Sequence, residues 1–367
     1  MKPTEKIRRQ GQSIWLDFIS RSLIRSGELK HLVERDHVTG VTSNPTLFER
    51  AIDNEYDYDQ GINRLLARKP RVTAQELYEQ LSVEDVRMAA DVLRGVYDRT
   101  QGADGFVSIE ISPHLAHHTQ ASIFEALRLW NQVYRPNLMI KLPATVEGIP
   151  AIEELLARGV NVNVTLMFSP AHYEAVAAAF LRGIERAQDP SHLASAASIF
   201  VSRLDTAVDR ALADIGTAEA LALRGKIAIA NAKMIYARFR ELFYGARFAG
   251  LRMRGVRVQR VLWASTGNKN PAYSDVRYVE ELIGTDTINT VPPTTLQAFQ
   301  EHGHVRGITL QEGLQEAEVV LRKLAALNID LETVAQQLQN DGVAAFDASL
   351  DKLLSTIQTE YCHMMTA

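Results

Sequence analysis

The 367-residue chain is 46% hydrophobic and 23% charged with a formal net charge of -4, a balance that excludes a strongly basic nucleic-acid binder and a membrane-embedded protein. No window approaches the roughly 18 apolar residues of a membrane span, and MKPTEKIRRQ has no apolar leader core. The single cysteine, Cys362, excludes an internal disulfide framework and a cysteine-rich zinc site, so a reducing, cytoplasmic setting is expected.

Short β-rich runs recur between longer helical segments, the pattern of repeated βα units and a parallel sheet. In chain order they are QSIWLDF (12–18), HVTGVTSN (37–44), GFVSIEI (105–111), LMIKLPA (138–144), VNVTLMF (162–168), ASIFVSR (197–203), RVLWAST (260–266) and DTINTV (286–291). Between the third and fourth, SIFEALRLWNQVY (122–134) carries Ile123, Leu127, Leu129 and Trp130 near one helical face. After the fourth, Ile149, Ile152, Leu155 and Leu156 recur at steps of three and four, and Gly159 ends that helix. Residues 45–104 and 204–259 are too long for one helix each. Near the C-terminus Phe346, Leu350, Leu353, Leu354 and Ile357 share helical spacing. With no repeat, low-complexity tract or linker, residues 1–367 read as one (β/α)8 barrel domain. Extra helices are expected after strands 2 and 6 and at the C-terminus. An open doubly wound sheet is the rival.

Barrel active sites gather at the C-terminal strand ends, where residues of one parity share the inner face. That rule selects Asp17, Asn44, Glu110, Lys141, Asn163 and Thr165, with Ser198 and Arg203 on the sixth run and Ser265 on the seventh. Lys141 interrupts the apolar run Leu138, Met139, Ile140 and Leu142. Its ordinary reading is a snorkelling lysine. Buried among apolar neighbours, however, the charged form loses solvation and the neutral amine becomes available to attack a carbonyl. Asp17 and Glu110 have an ordinary reading as helix caps; together they could divide the proton transfers that an amine nucleophile needs.

Other signals are weaker. His114, His117 and His118 have helical spacing but no accompanying HExxH, and with His302 and His304 they read as solvated or capping groups. Residues 224–260 hold ten Lys/Arg against one Glu; mixed spacing and the absence of interleaved aromatic readers make that a solvated, ion-pairing face. GxSxG, GxGxxG and Walker spacings are absent.

With these residues assembled, the chain resembles the transaldolase family along nearly its whole length. GVTSNPTLF, VSIEISPHLA, MIKLPATVEGIPAI, GVNVNVTLMFS and LWASTGNKNPAYSD occur in order on the expected strands. The resemblance implies a (β/α)8 barrel acting through a lysine Schiff base, without metal or organic cofactor. The implied reaction moves a dihydroxyacetone unit from sedoheptulose 7-phosphate to glyceraldehyde 3-phosphate in the non-oxidative pentose phosphate pathway, giving erythrose 4-phosphate and fructose 6-phosphate. Its partners are then phosphorylated ketoses and aldoses, with no nucleic acid or membrane, in a monomer or homodimer. By motif, Lys141 is the Schiff-base residue, Asp17 the base at the C4 hydroxyl, and Glu110 with Thr165 the proton shuttle. Asn44, Asn163 and Ser198 hold the dihydroxyacetone hydroxyls, and Arg203 and Ser265 bind phosphate. The second phosphate-binding cation is usually an arginine in the loop after Ser265; here the nearest cation is Lys269. Phe200 stands where the similar but shorter fructose 6-phosphate aldolases carry tyrosine, which favours transfer over cleavage. The competing readings are aldolase-like cleavage, a metal-dependent barrel lyase using the histidines, and a phosphosugar-binding scaffold.

Overall fold

The computed structural model describes residues 1–44, 46–48, 58–69 and 71–366, without the side chains of 60, 68 and 360–366, so Cys362 lies outside the described side chains. Alternation decides the architecture. In LMIKLP, Leu138, Ile140 and Leu142 join the outer core against the helices, whereas Met139 joins the inner one, placing Lys141 on the inner face as well. Eight strands repeat this arrangement: β1 (Gln12–Leu16), β2 (Val38–Val41), β3 (Phe106–Glu110), β4 (Leu138–Pro143), β5 (Val162–Met167), β6 (Ser195–Phe200), β7 (Arg260–Ala264) and β8 (Thr287–Val291). Neighbours pair in parallel, and β8 closes on β1 to complete the barrel. The expected (β/α)8 class is therefore the observed one, rather than an open sheet.

The expected extra helices are present. The connection after β2 holds Asp59–Arg68 and Ala74–Arg99, and that after β6 holds Ser202–Ile215, Ala218–Leu221, Ile227–Tyr244 and Ala246–Met253. Ala74–Arg99 starts at a full capping box, Thr73 with Glu76. Several strand ends fall short of expectation: the first run ends at Leu16 and the second at Val41, so Asp17 and Asn44 follow their strands. The sixth run ends at Phe200 because Leu204, Val208 and Leu212, buried at helical spacing, draw Ser202 and Arg203 into the next helix. The seventh ends at Ala264, since Ser265 takes a left-handed conformation (φ 54°).

Inside the barrel, Trp15, Phe106, Met139, Ala196, Leu262 and Ile288 fill the N-terminal half. Gly40 on β2 makes room for them, because a Cβ there would stand 2.4 Å from the Trp15 indole. The C-terminal helix Leu331–Thr366 crosses the opposite mouth and buries Phe346, Leu350, Leu353 and Ile357. Gln339 pins it, donating from Nε2 to the carbonyls of Ala144 and Leu166 at 3.0 Å each. Among the described residues no helix is long and apolar enough to cross a membrane.

A buried ion pair ties the turn after β1 to the long helix of the β2 connection. Arg21 donates from Nε to Asp85 Oδ1 at 2.7 Å, Tyr58 donates to Asp85 Oδ2 at 2.7 Å, and neither charged side chain is exposed. Arg21 Nη2 also reaches Glu84 Oε2 at 3.1 Å, so removing Asp85 leaves the buried guanidinium with one half-exposed carboxylate and the Tyr58 hydroxyl without its acceptor. Asp85→Ala should therefore destabilise the fold by roughly 2–3 kcal/mol, less than a fully stranded charge would cost because Glu84 remains, measured as a lowered denaturant midpoint. An unchanged midpoint would show that the pair carries no such stability.

Candidate active site

Lys141 points from β4 toward the C-terminal mouth and is 5% exposed. Its Nζ donates to Glu110 Oε2 at 3.0 Å and to the carbonyl of Ser43 at 3.1 Å, and lies 5.5 Å from the centre of the Phe346 ring. The amine is thus held by one carboxylate and one carbonyl beneath an aromatic cover. Direct contact belongs to Glu110, whose residue is the register partner of Lys141 across β3 and β4. Burial pushes the Glu110 carboxyl above the usual carboxylate range, against the opposing pull of the Lys141 charge.

Asp17, just past β1, makes no ion pair with Lys141 and feels it only as a charge. Burial raises its carboxyl; Lys141, a hydrogen bond from Thr42 and Arg203 act in the other direction. Thr42 donates to Asp17 Oδ1 at 2.8 Å. With that proton committed, Thr42 accepts from Thr290, also at 2.8 Å. Asp17 is consequently oriented by hydroxyls from β8 and from the residue that follows β2.

Asp17, Asn44, Lys141, Thr165, Ser198, Phe200, Arg203, Ser265 and Lys269 all line one cleft of about 1000 Å³, part of it open to solvent. Glu110 and Asn163 sit behind that lining. Asn163 accepts from Ser198 Oγ at 2.7 Å and donates to Ser108 Oγ at 3.0 Å, fixing its own amide and the Ser198 hydroxyl together. Thr165 Oγ1 is buried with no hydrogen-bond partner in the protein, which suits it to a polar group entering the cleft. Asn44 Oδ1 caps the short turn at Leu47.

The far side is cationic. Arg203, in the first turn of its helix rather than on β6, places its guanidinium 5.5 Å from the Phe200 ring centre. Ser265 shares a 2.9 Å hydroxyl contact with Ser202. Lys269 is exposed and borders both this cleft and a neighbouring one.

Sequence reasoning passed over Thr42, Thr290 and the Ser43 carbonyl as site groups. Parity along TINTV marks Thr290 as inward-facing, but nothing local assigns Ser43 its contact. Phe346 was legible only as helix core. The histidines point elsewhere. His114 lies within a 3-10 turn and His118 immediately precedes the next helix, so they do not share one helix. His114 meets Asp347 and Asp351 of the C-terminal helix, and His117 meets Glu147. Among the described residues no three His, Cys, Asp or Glu side chains cluster closely enough to hold a metal ion.

The family described as Transaldolase/Fructose-6-phosphate aldolase matches residues 14–357. The chain belongs to this family. It is 46% identical over 359 residues to a transaldolase of Frankia alni, covering 97% of this chain and 96% of that one. A transaldolase of Thiobacillus denitrificans is 46% identical over 361 residues, covering 97% and 100% of the two chains. One of Mycolicibacterium smegmatis is 45% identical over 352 residues, covering 95% and 94%. The family match runs from within β1 to well beyond β8.

Proposed function

We propose that the protein is a transaldolase that moves a dihydroxyacetone unit from sedoheptulose 7-phosphate to glyceraldehyde 3-phosphate. The observation that carries this reading is the buried Lys141 amine, 3.0 Å from Glu110 and covered by Phe346. It sits at the barrel mouth where such chemistry gathers.

In this mechanism Lys141 passes a proton to Glu110, 3.0 Å away, and the freed amine attacks C2 of the ketose. Glu110, its carboxyl raised by burial, gives a proton to the departing hydroxyl of the carbinolamine, with Thr165 holding the water. The imine then accepts the electron pair of the C3–C4 bond as Asp17 takes the C4 hydroxyl proton. Erythrose 4-phosphate leaves, and the dihydroxyacetone unit stays as an enamine. Asn44 and Ser198, the latter fixed by Asn163, hold its hydroxyls while glyceraldehyde 3-phosphate enters. The enamine carbon attacks that aldehyde, Asp17 returns its proton to the new hydroxyl, and hydrolysis of the imine releases fructose 6-phosphate and Lys141. Arg203, Ser265 and Lys269 receive the phosphate; Lys269 does so as a point charge without a bidentate fork.

Phe200 supports transfer over cleavage, since its ring lines the cleft and cannot donate a proton to the waiting enamine. Phe200→Tyr should raise acceptor-free release of dihydroxyacetone from fructose 6-phosphate by roughly tenfold relative to transfer. No change in that ratio would remove Phe200 from the account of specificity. The function itself is tested by supplying sedoheptulose 7-phosphate with glyceraldehyde 3-phosphate and following erythrose 4-phosphate. Cleavage without transfer would establish the aldolase reading, and neither reaction would overturn both.

A further inference from the structure

Alternation along β5 breaks at one place. Asn163 and Thr165 face the barrel interior and Val164 joins the outer core, so strict parity sends Leu166 outward and Met167 inward. The structure reverses both: Leu166 packs in the inner cluster with Phe168, Phe200 and Phe346, and Met167 joins the outer one. Strand pairing explains the switch. Val164 stands opposite Ala197 and Met167 opposite Ile199, so two residues of β5, Thr165 and Leu166, oppose one of β6, Ser198, in a β-bulge. Leu166 is left-handed there (φ 59°), a conformation that a leucine holds only where its surroundings enforce it.

The C-terminal helix enforces it through the buried Gln339. Nε2 of that amide carries two hydrogens, and each goes to a carbonyl beside Thr165: that of Leu166, next in the chain, and that of Ala144, just past β4, at 3.0 Å each. Ala144 in turn donates its own amide to the Thr165 carbonyl at 2.9 Å. Gln336 donates to Gln339 Oε1 at 3.2 Å, which fixes the way the amide points. One turn on, Gly342 lets the helix come close, since a Cβ there would stand 2.8 Å from Leu166 Cδ2. Thr165 Oγ1, buried at the cleft wall, has no hydrogen-bond partner in the protein. No side chain therefore aims that hydroxyl, and the backbone at the bulge sets its direction.

We propose that Gln339 is a positioning residue for the imine steps: by holding the Leu166 and Ala144 carbonyls it sets the bulge that aims the Thr165 hydroxyl at the water that Glu110 works on. This rests on the transaldolase reading, in which Thr165 holds that water. The test is a double-mutant cycle in the full chain, comparing wild type, Gln339→Met, Thr165→Val and the pair. Each is mixed with fructose 6-phosphate and quenched with borohydride over time, so that trapping on Lys141 reads the rate of imine formation. Gln339→Met should slow trapping by roughly tenfold, Thr165→Val by at least as much, and the pair no further than Thr165→Val alone. Glucitol 6-phosphate has no carbonyl and reads only the integrity of the cleft; its binding to Gln339→Met should match wild type. Gln339→Asn keeps the amide but is too short to span both carbonyls, and it should show the same coupling if Gln339→Met does not fold. Trapping at the wild-type rate in the Gln339 variant, losses that multiply in the pair, or glucitol 6-phosphate binding weakened in step with trapping would overturn the proposal. Wild-type enzyme that gives no adduct would overturn the transaldolase reading and this proposal with it.

Discussion

Lys141→Ala should lower transfer by roughly 10⁴-fold or more, because the other lysine lining the cleft, Lys269, lies in the loop after Ser265 and is exposed, away from the carboxylates that move protons at Lys141. Borohydride added during turnover of wild-type enzyme with fructose 6-phosphate should reduce the imine to a stable secondary amine on Lys141. Activity should disappear as the adduct accumulates, and peptide mass spectrometry should place it at residue 141. Lys141→Arg sharpens the interpretation. Arginine keeps a cation beside Glu110 but offers no comparable nucleophile, so it should be as inactive as alanine if the chemistry is covalent. Substantial activity in Lys141→Arg, or active wild-type enzyme that gives no adduct, would sink the Schiff-base mechanism.

Asp17→Asn should reduce kcat by roughly 10²–10⁴-fold, the usual worth of a positioned base, while imine formation and borohydride trapping persist. That split separates bond cleavage from imine formation. The pH dependence follows from burial, which raises the Asp17 carboxyl. A base must be ionised, so activity should fall as pH drops through a value above the ordinary carboxylate range of about 3.9. Stability runs the other way. A carboxyl raised in the folded state favours folding when protonated, a contribution present below the unfolded value and lost as pH rises through the folded one. At neutral pH Asp17→Asn should therefore unfold at a higher denaturant concentration than wild type. If trapping fails along with turnover, Asp17 acts earlier than proposed.

Strand alternation made much of this legible beforehand. Period-two patterning alone separates Lys141, Glu110 and Asn163 from the outward-facing residues beside them, since one face of each strand must meet the helices. Arg203 and Ser265 were harder. The β-branched, apolar character of IFV extends the apparent strand, and only tertiary burial of Leu204 and Val208 turns the chain into a helix at Ser202. Phe346 lies more than two hundred residues from Lys141, and no local pattern links a helix core position to a lysine on a strand. The arginines near residue 255 illustrate the same limit: composition counts charges but does not say what each one meets. Ion pairs between Arg238 and Glu174 or Glu241 do match the solvated, pairing face expected there, whereas Arg260 reaches Ser13 and the Thr287 carbonyl and lies 3.7 Å from Asp104.

The close approach of Gly40 to Trp15 restricts how this barrel can change over evolutionary time. Any side chain at position 40 collides with the indole, and any small residue at position 15 leaves a void where the ring now packs. Each single step is therefore disfavoured even if the double exchange would fit. Positions 15 and 40 should vary together among descendants of this chain, and Trp15, two residues from Asp17, should be retained for space-filling reasons that a survey of catalytic groups would miss.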